Sequence, residues 1–250
     1  CGRSEKFPPL AEQKPLAPAA SASLNLPDFD PALRDHQLIE RALRQSNPRL
    51  QSPDIPRIQR LGINALLSSG LRDIRPLSGL TGLEILWLQN NRIVDLSPLA
   101  GLTNLTQLFL DQNRASSLKP LIALTRLRIL GSSHNALRSA HGLEKMGSLE
   151  FLSLVGNDLR DLFPLSSLGA LQELHLADNH VTNLTSLGAM SRLRQLSLDR
   201  NPLSSLRGLE RCVALEELSL SETGIDSLQP LAPAARLRKL NLVQNDVRDL

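Results

Sequence analysis

A chain of 250 residues, 41% hydrophobic and 21% charged, is long enough to bury a sizeable core in one or two domains. No apolar run approaches the roughly 20 residues needed to cross a bilayer, because leucine recurs singly among polar residues. The formal charge is only +3, and the arginines alternate with acids, so the basic stripe of a nucleic-acid binder is missing.

The first 27 residues, "CGRSEKFPPLAEQKPLAPAASASLNLP", are rich in Pro, Ala and Ser and carry no usable period. Such a segment cannot bury enough surface to fold, so residues 1–27 read as a tether. By coil scaling it spans roughly 25 to 30 Å. A Cys-Gly start ahead of a flexible spacer resembles the mature end of a bacterial lipoprotein. That resemblance implies acylation of Cys1 and attachment to a membrane surface in the bacterial cell envelope. Each buried acyl CH₂ then contributes about 0.8 kcal/mol. Gly rather than Asp at position 2 favours the outer membrane if the cell has two.

Residues 28–60 read as a helical cap. Asp30 suits an N-cap, Pro31 the first helical position, and Leu33, Leu38, Ile39 and Ala42 line one face. A second short helix is expected from Ser52-Pro53 to about Arg60. A stack of coils needs such a cover over its first apolar layer.

From residue 61 to 250 the chain repeats every 22 residues, about eight and a half times. Asparagine stands at Asn91, Asn113, Asn135, Asn157, Asn179, Asn201 and Asn245, and Thr223 fills the missing rung. Leucine recurs in the same frame, as at Leu83, Leu86 and Leu88, giving L-x-x-L-x-L-x-x-N. Leu86 and Leu88 are two apart, so an extended strand turns both to the core and turns Ile85, Trp87 and Gln89 away from it. Each asparagine is expected to be buried and to bond backbone groups of its own turn and its neighbour. Beyond it, "DLSPLAGLTNL" spaces Leu99, Leu102 and Leu105 by three, which suits a 3₁₀ segment started by a proline such as Pro98.

The unit L-x-x-L-x-L-x-x-N-x-[LIV] is the leucine-rich-repeat pattern, and with "DLSPLAGLTNL" it resembles the bacterial internalin type. The expected fold is an α/β leucine-rich-repeat solenoid: a parallel sheet on the concave face, 3₁₀ or irregular turns on the convex face, and a helical cap in front. The repeat with Ser132, Ala140 and Gly142 in place of Leu, Leu and Pro is expected to pack loosely. At the far end no polar cap follows Asn245 before Leu250. Two explanations stand: a sequence cut from a longer protein, or self-association through an open apolar edge.

Function should lie on the concave face. Its three columns hold three of the six aromatic residues, Trp87, Phe109 and Phe151, where chance would place fewer than one. Ile85 and Ile129 extend this apolar patch, and Gly131 leaves a notch between Phe109 and Phe151. Further along, the face turns polar with Glu173, His175, Asp199, Glu217 and Lys239, which would tune specificity. Aromatic side chains dominate binding when buried in an interface. Two other readings stand: strand propensity alone, and a tether that folds back over the patch.

Nothing in the sequence points to catalysis, a cofactor or a small-molecule substrate. There is no phosphate loop, nucleophile elbow or H-E-x-x-H, and the five histidines show no metal-ligand spacing. Cys212 falls in a core column and reads as a small hydrophobe. The expectation is therefore a non-enzymatic, surface-anchored module that binds a protein, by family resemblance on a host or neighbouring cell. The rivals are the recognition half of a longer enzyme and an intracellular scaffold similar to the leucine-rich phosphatase regulators.

Overall fold

The computed structural model describes residues 70–248 without a break. Before them it describes helical residues 34–35, 37–39 and 41 and the strand residues 60–61. The tether, with Cys1, lies outside the described residues, as do Asp30, Pro31, Leu33, Ala42 and the helix expected from Ser52.

Nine parallel strands hydrogen-bond in chain order. A two-residue strand, β1 (Arg60–Leu61), precedes eight three-residue strands. These are β2 (Ile85–Trp87), β3 (Gln107–Phe109), β4 (Ile129–Gly131) and β5 (Phe151–Ser153), followed by β6 (Glu173–His175), β7 (Gln195–Ser197), β8 (Glu217–Ser219) and β9 (Lys239–Asn241). From β2 onward each residue pairs with the one 22 further on, as Trp87 does with Phe109. The central leucine of β2 to β8 is buried while its flanking residues face the other way, as strand alternation requires. Arg60, expected to end a helix, instead opens β1. That strand pairs Arg60 with Ile85, a spacing of 25 rather than 22. The 22-residue frame is restored at Leu71, whose N–H reaches Asn91, so three extra residues are accommodated between Leu61 and Leu71.

Leu96, Leu99, Leu102 and Leu105 are linked by successive N–H to carbonyl bonds three residues apart, the geometry that leucines spaced by three call for. Short 3₁₀ segments form at Arg75–Gly79, Ser97–Leu99, Lys119–Leu121, Phe163–Leu165, Thr185–Ala189 and Gln229–Leu231. All but the fifth have a proline at the start, where the missing N–H costs nothing. Just ahead of these segments a second column works unseen in the leucine pattern. Asp73, Asp95, Ser117, Asp161, Asn183 and Ser227 each accept the N–H two residues on with a side-chain oxygen, the Asx or Ser turn that starts the bend.

Each asparagine ties its own coil to the one before it. In the rung at Asn113, Oδ1 accepts the Ile93 N–H at 3.0 Å, and Nδ2 donates to Leu88 O at 2.8 Å and Leu110 O at 2.9 Å. The same bonds recur at Asn157, Asn179 and Asn201. Thr223 lacks the reach, so the Leu203 N–H turns to the backbone carbonyls of Asn201 and Thr223 instead.

Two rungs depart from the burial expected of the column. Asn135 keeps the bonds, its Oδ1 accepting the Ala115 N–H at 2.9 Å and its Nδ2 donating to Leu110 O at 3.0 Å and Ser132 O at 3.3 Å. It is nonetheless half-buried rather than enclosed. Ser132 stands where the other coils carry leucine, and its short side chain, with Oγ 3.4 Å from Nδ2, covers less of the amide. Asn245, on the last described coil, is half-buried as well.

Apart from that more open amide, the repeat expected to pack loosely does not. Ser132, Ala140 and Leu143 are fully buried, and Asn157 Nδ2 donates to the Ser132 carbonyl at 3.0 Å. Gly142, with φ of 112°, lets the backbone close in on the preceding coil. Gly208 does the same, with φ of 110°. In both places a glutamate two residues on accepts the glycine N–H: Glu144 at 2.8 Å and Glu210 at 2.7 Å. A Gly-Leu-Glu run thus replaces the proline turn.

At the front, Ile39 is fully buried and belongs to the same apolar core as Leu71 and Ile74. Asp35 accepts the N–H groups of Arg72 and Asp73 at 2.7 and 2.8 Å. Cys212 is buried in the core, and burial pushes its thiol up to about 11, so it packs as an uncharged group.

Candidate functional site

The open side of the sheet, away from the leucines, carries the residues singled out by strand alternation. Trp87 and Phe109 sit side by side on β2 and β3, because parallel register places residues 22 apart directly opposite. Their rings stack with centroids 6.1 Å apart and planes within 4°. Both are half-buried, as is Ile85, so the stack presents a flat apolar surface to solvent. Large rings left accessible on a sheet face are the kind of surface a partner covers.

The rest of the expected patch is on the same face but contributes less area. Ile129 and Phe151 retain only 8% exposure each. The ring of His175 lies 5.4 Å from that of Phe151, so the apolar face ends at this pair. The notch expected over Gly131 is not empty. Asp111 leans into it, with Oδ2 only 2.7 Å from where a Cβ on residue 131 would stand. A side chain at 131 would therefore displace the carboxylate, which explains the glycine better than strand conformation does.

Asp111 and Asp199 occupy equivalent places four coils apart and use Oδ1 alike, accepting the N–H of Ser133 at 2.8 Å and of Ser221 at 2.7 Å. Their surroundings differ. Asp199 also accepts the hydroxyls of Ser219 at 2.6 Å and Ser197 at 3.1 Å. At Asp111 the positions equivalent to Ser219 and Ser197 are Gly131 and Phe109, which carry no hydroxyl; Ser133 Oγ bonds Ser153 Oγ at 2.7 Å, and Oδ2 is buried without a hydrogen-bond partner. Burial consequently raises the Asp111 pKa above the ordinary carboxylate value, against the pull of Ser133 and His134.

Asp111→Asn should therefore stabilise the fold. Oδ1 still accepts the Ser133 N–H, and the buried charge is gone; a neutral amide costs less to bury than an unpaired carboxylate, a difference of about 1 kcal/mol. A raised acid pKa means that the native carboxyl is most favourable when protonated, so its penalty appears as pH rises above the ordinary value of 3.8 and is complete above the raised one. Urea unfolding from pH 4 to 8 should show the variant's advantage growing toward neutral pH. A variant less stable than the parent at pH 7 would refute this account of Asp111.

The C-terminal half of the face is charged. Glu217 pairs with Lys239 at 2.6 Å, and His175 Nε2 lies 3.9 Å from Glu173. Bordering it runs a column of left-handed residues that includes His134, Asp178, Arg200 and Glu222, with φ between 53° and 56°. Arg200 bonds both carboxylate oxygens of Asp178 through Nε and Nη2, and its Nη1 lies 3.9 Å from Glu222. That contact holds Asp178 below the usual carboxylate range. Sequence spacing gave no hint of this column, because only backbone geometry distinguishes it. Among the described residues no group of three His, Cys, Asp or Glu side chains is placed to hold a metal ion.

Residues 81–123 and 169–211 match the family model described as Leucine Rich repeats (2 copies). Internalin C2 of Listeria monocytogenes superposes with a TM-score of 0.76 at 27% identity, over 82% of this chain and 92% of that one. This chain carries internalin-type leucine-rich repeats. Two further structures share the fold of these repeats. Internalin F of Listeria monocytogenes has a TM-score of 0.68 at 21% identity, covering 86% of this chain and 76% of that one. A leucine-rich-repeat protein of Leptospira interrogans has a TM-score of 0.63 at 22% identity, covering 76% and 56%. No curated protein matches the sequence. The strand face just described is thus the concave face of an internalin-type solenoid, a fold whose broad inner surface serves as an interaction scaffold.

Proposed function

We propose that these repeats form a non-enzymatic module that binds a protein partner on the concave face, with Trp87 and Phe109 as its anchor. The observation that carries this reading is the stacked, half-buried pair of rings on β2 and β3. Burying two adjacent aromatics at the centre of an interface is worth several kcal/mol, and alanine at such a position costs about 2 kcal/mol or more. The surrounding polar residues, Glu173, His175, Asp199, Glu217 and Lys239, set which partner fits. Anchoring at a bacterial cell envelope through acylated Cys1 is a separate element of the proposal, read directly from the mass of the native N-terminus.

The test is recovery of partners by the native protein and by Trp87→Ala/Phe109→Ala, with matching unfolding curves as the control for folding. Both rings lie outside the leucine core, so the variant folds. Proteins captured by the native chain should bind the variant at least about 100-fold more weakly, two hot-spot truncations being worth roughly 3 to 4 kcal/mol together. Equal recovery of every captured protein by both would remove the patch from consideration.

A further inference from the structure

The chain as a whole carries +3, yet the concave face is acidic. Its three columns hold Asp111, Glu173, Asp199 and Glu217 against Lys239 alone, and the bordering left-handed column adds Asp178 and Glu222 against Arg200. Six carboxylates thus face two cations, and both cations are already committed: Lys239 to Glu217, Arg200 to Asp178 and Glu222. Glu173 has the histidine beside it, 3.9 Å away, and among the described residues no lysine or arginine is paired with it. It stands directly opposite Phe151 in the pairing of β5 with β6, where the apolar part of the face ends. A half-buried carboxylate beside a ring is a seat for a guanidinium or ammonium group, which draws on both the charge and the ring.

Resting on the reading that the concave face binds a protein, we propose that the partner lays an extended basic segment across the strands, with an apolar side chain on Trp87 and Phe109 and a lysine or arginine over Glu173. The spacing follows from the sheet. Strands lie about 4.8 Å apart, so β3 to β6 is roughly 14 Å, and an extended chain covers that in about four or five residues. Specificity arises because an acidic face repels acidic segments while the ring stack selects an apolar residue at fixed distance from the cation. Asp111 adds to the field from beneath: its carboxylate is tied through Oδ1 to the backbone and unneutralised at Oδ2.

A displayed library of random twelve-residue peptides, panned on the native protein, tests this. Trp87 is the chain's only tryptophan, so its emission reports binding at the rings without a label. Enriched peptides should carry an apolar residue four or five positions from a lysine or arginine, and high salt should weaken them. Glu173→Gln/Glu222→Gln should lower their affinity at least tenfold. That variant spares the Arg200–Asp178 contact, and its unfolding curve should match the parent's. Peptides that need Trp87 and Phe109 but show no excess of basic residues, or that bind the glutamine variant equally well, overturn the charge proposal and leave the ring-based reading standing. Peptides that bind Trp87→Ala/Phe109→Ala as well as the native chain, or a library that yields none, overturn both.

Discussion

Gly208→Ala and Gly142→Ala should each destabilise the solenoid by about 3 to 5 kcal/mol. Two costs combine. At φ of 110° and 112° an L-residue is strained, which is worth roughly 1 to 3 kcal/mol. A Cβ would also stand 2.2 Å from a main-chain carbonyl oxygen of the coil before, Leu184 O for residue 208 and Leu118 O for residue 142. Backbone cannot swing aside as a side-chain end can, so neighbouring coils must separate, at the 1 to 3 kcal/mol typical of overpacking. For a chain of this size the loss corresponds to a fall in Tm of about 10 °C. Gly101→Ala and Gly147→Ala are the controls: nothing lies within 4 Å of their added methyl and neither has positive φ. If all four variants melted together, the close approach would carry no weight. Glu144 and Glu210, which accept the glycine N–H groups, are held below their ordinary pKa, at Glu144 chiefly by the bond from His141 and at Glu210 by nearby backbone N–H groups.

These glycines mark where the sequence stopped being readable. Leucine and asparagine columns are legible because each residue's role is fixed by its own coil: alternation decides which way Leu86 and Trp87 point, and a buried amide needs partners wherever it stands. The proline turns are legible for the same reason, since Pro98 or Pro120 presets its own φ. Gly142 read as a missing proline because its purpose is set by Leu118, a coil earlier, and by Glu144, whose side chain folds back on it. Gly131 read as a notch, although the side chain that fills it, Asp111, comes from the neighbouring strand. The covered edges of Ile129 and Phe151 likewise depend on neighbours across the sheet. The register of β1 departs from the 22-residue frame, so no column of the repeat foretells it. Relations within a coil survive in one sequence; contacts between coils, which pair residues 20 to 25 apart, appear only when the coils are stacked.

The ladder offers the second large effect, at Asn179, which is 3% exposed. Its Oδ1 accepts the Leu159 N–H at 3.0 Å, and its Nδ2 donates to Leu154 O at 2.9 Å and Leu176 O at 3.0 Å. Those two carbonyls lose less than the N–H does. Leu154 O also receives Asn157 Nδ2, and Leu176 O also receives Asn201 Nδ2, so each keeps one donor. With Asn179→Ala the Leu159 N–H keeps no side-chain acceptor in a buried place, at 1 to 3 kcal/mol, and two carbonyl bonds go at about 1 kcal/mol each. The expected loss is about 3 to 5 kcal/mol, read from urea unfolding. Asn179→Asp separates the two functions. Its Oδ1 keeps the N–H, but a charged Oδ2 faces two carbonyl oxygens, so this variant should be at least as unstable as the alanine one at pH 7. Burial against those oxygens raises its folded pKa; stability is then recovered as pH falls, when the protonated oxygen becomes a donor and remakes one carbonyl bond. Measured as the difference between the aspartate and alanine variants, this gain cancels whatever acid does to the rest of the chain. A loss under about 1 kcal/mol for the alanine variant, or a difference that stays flat with pH, would mean that neighbouring backbone takes over the bonds, as the carbonyls of Asn201 and Thr223 do for the Leu203 N–H where Thr223 breaks the column.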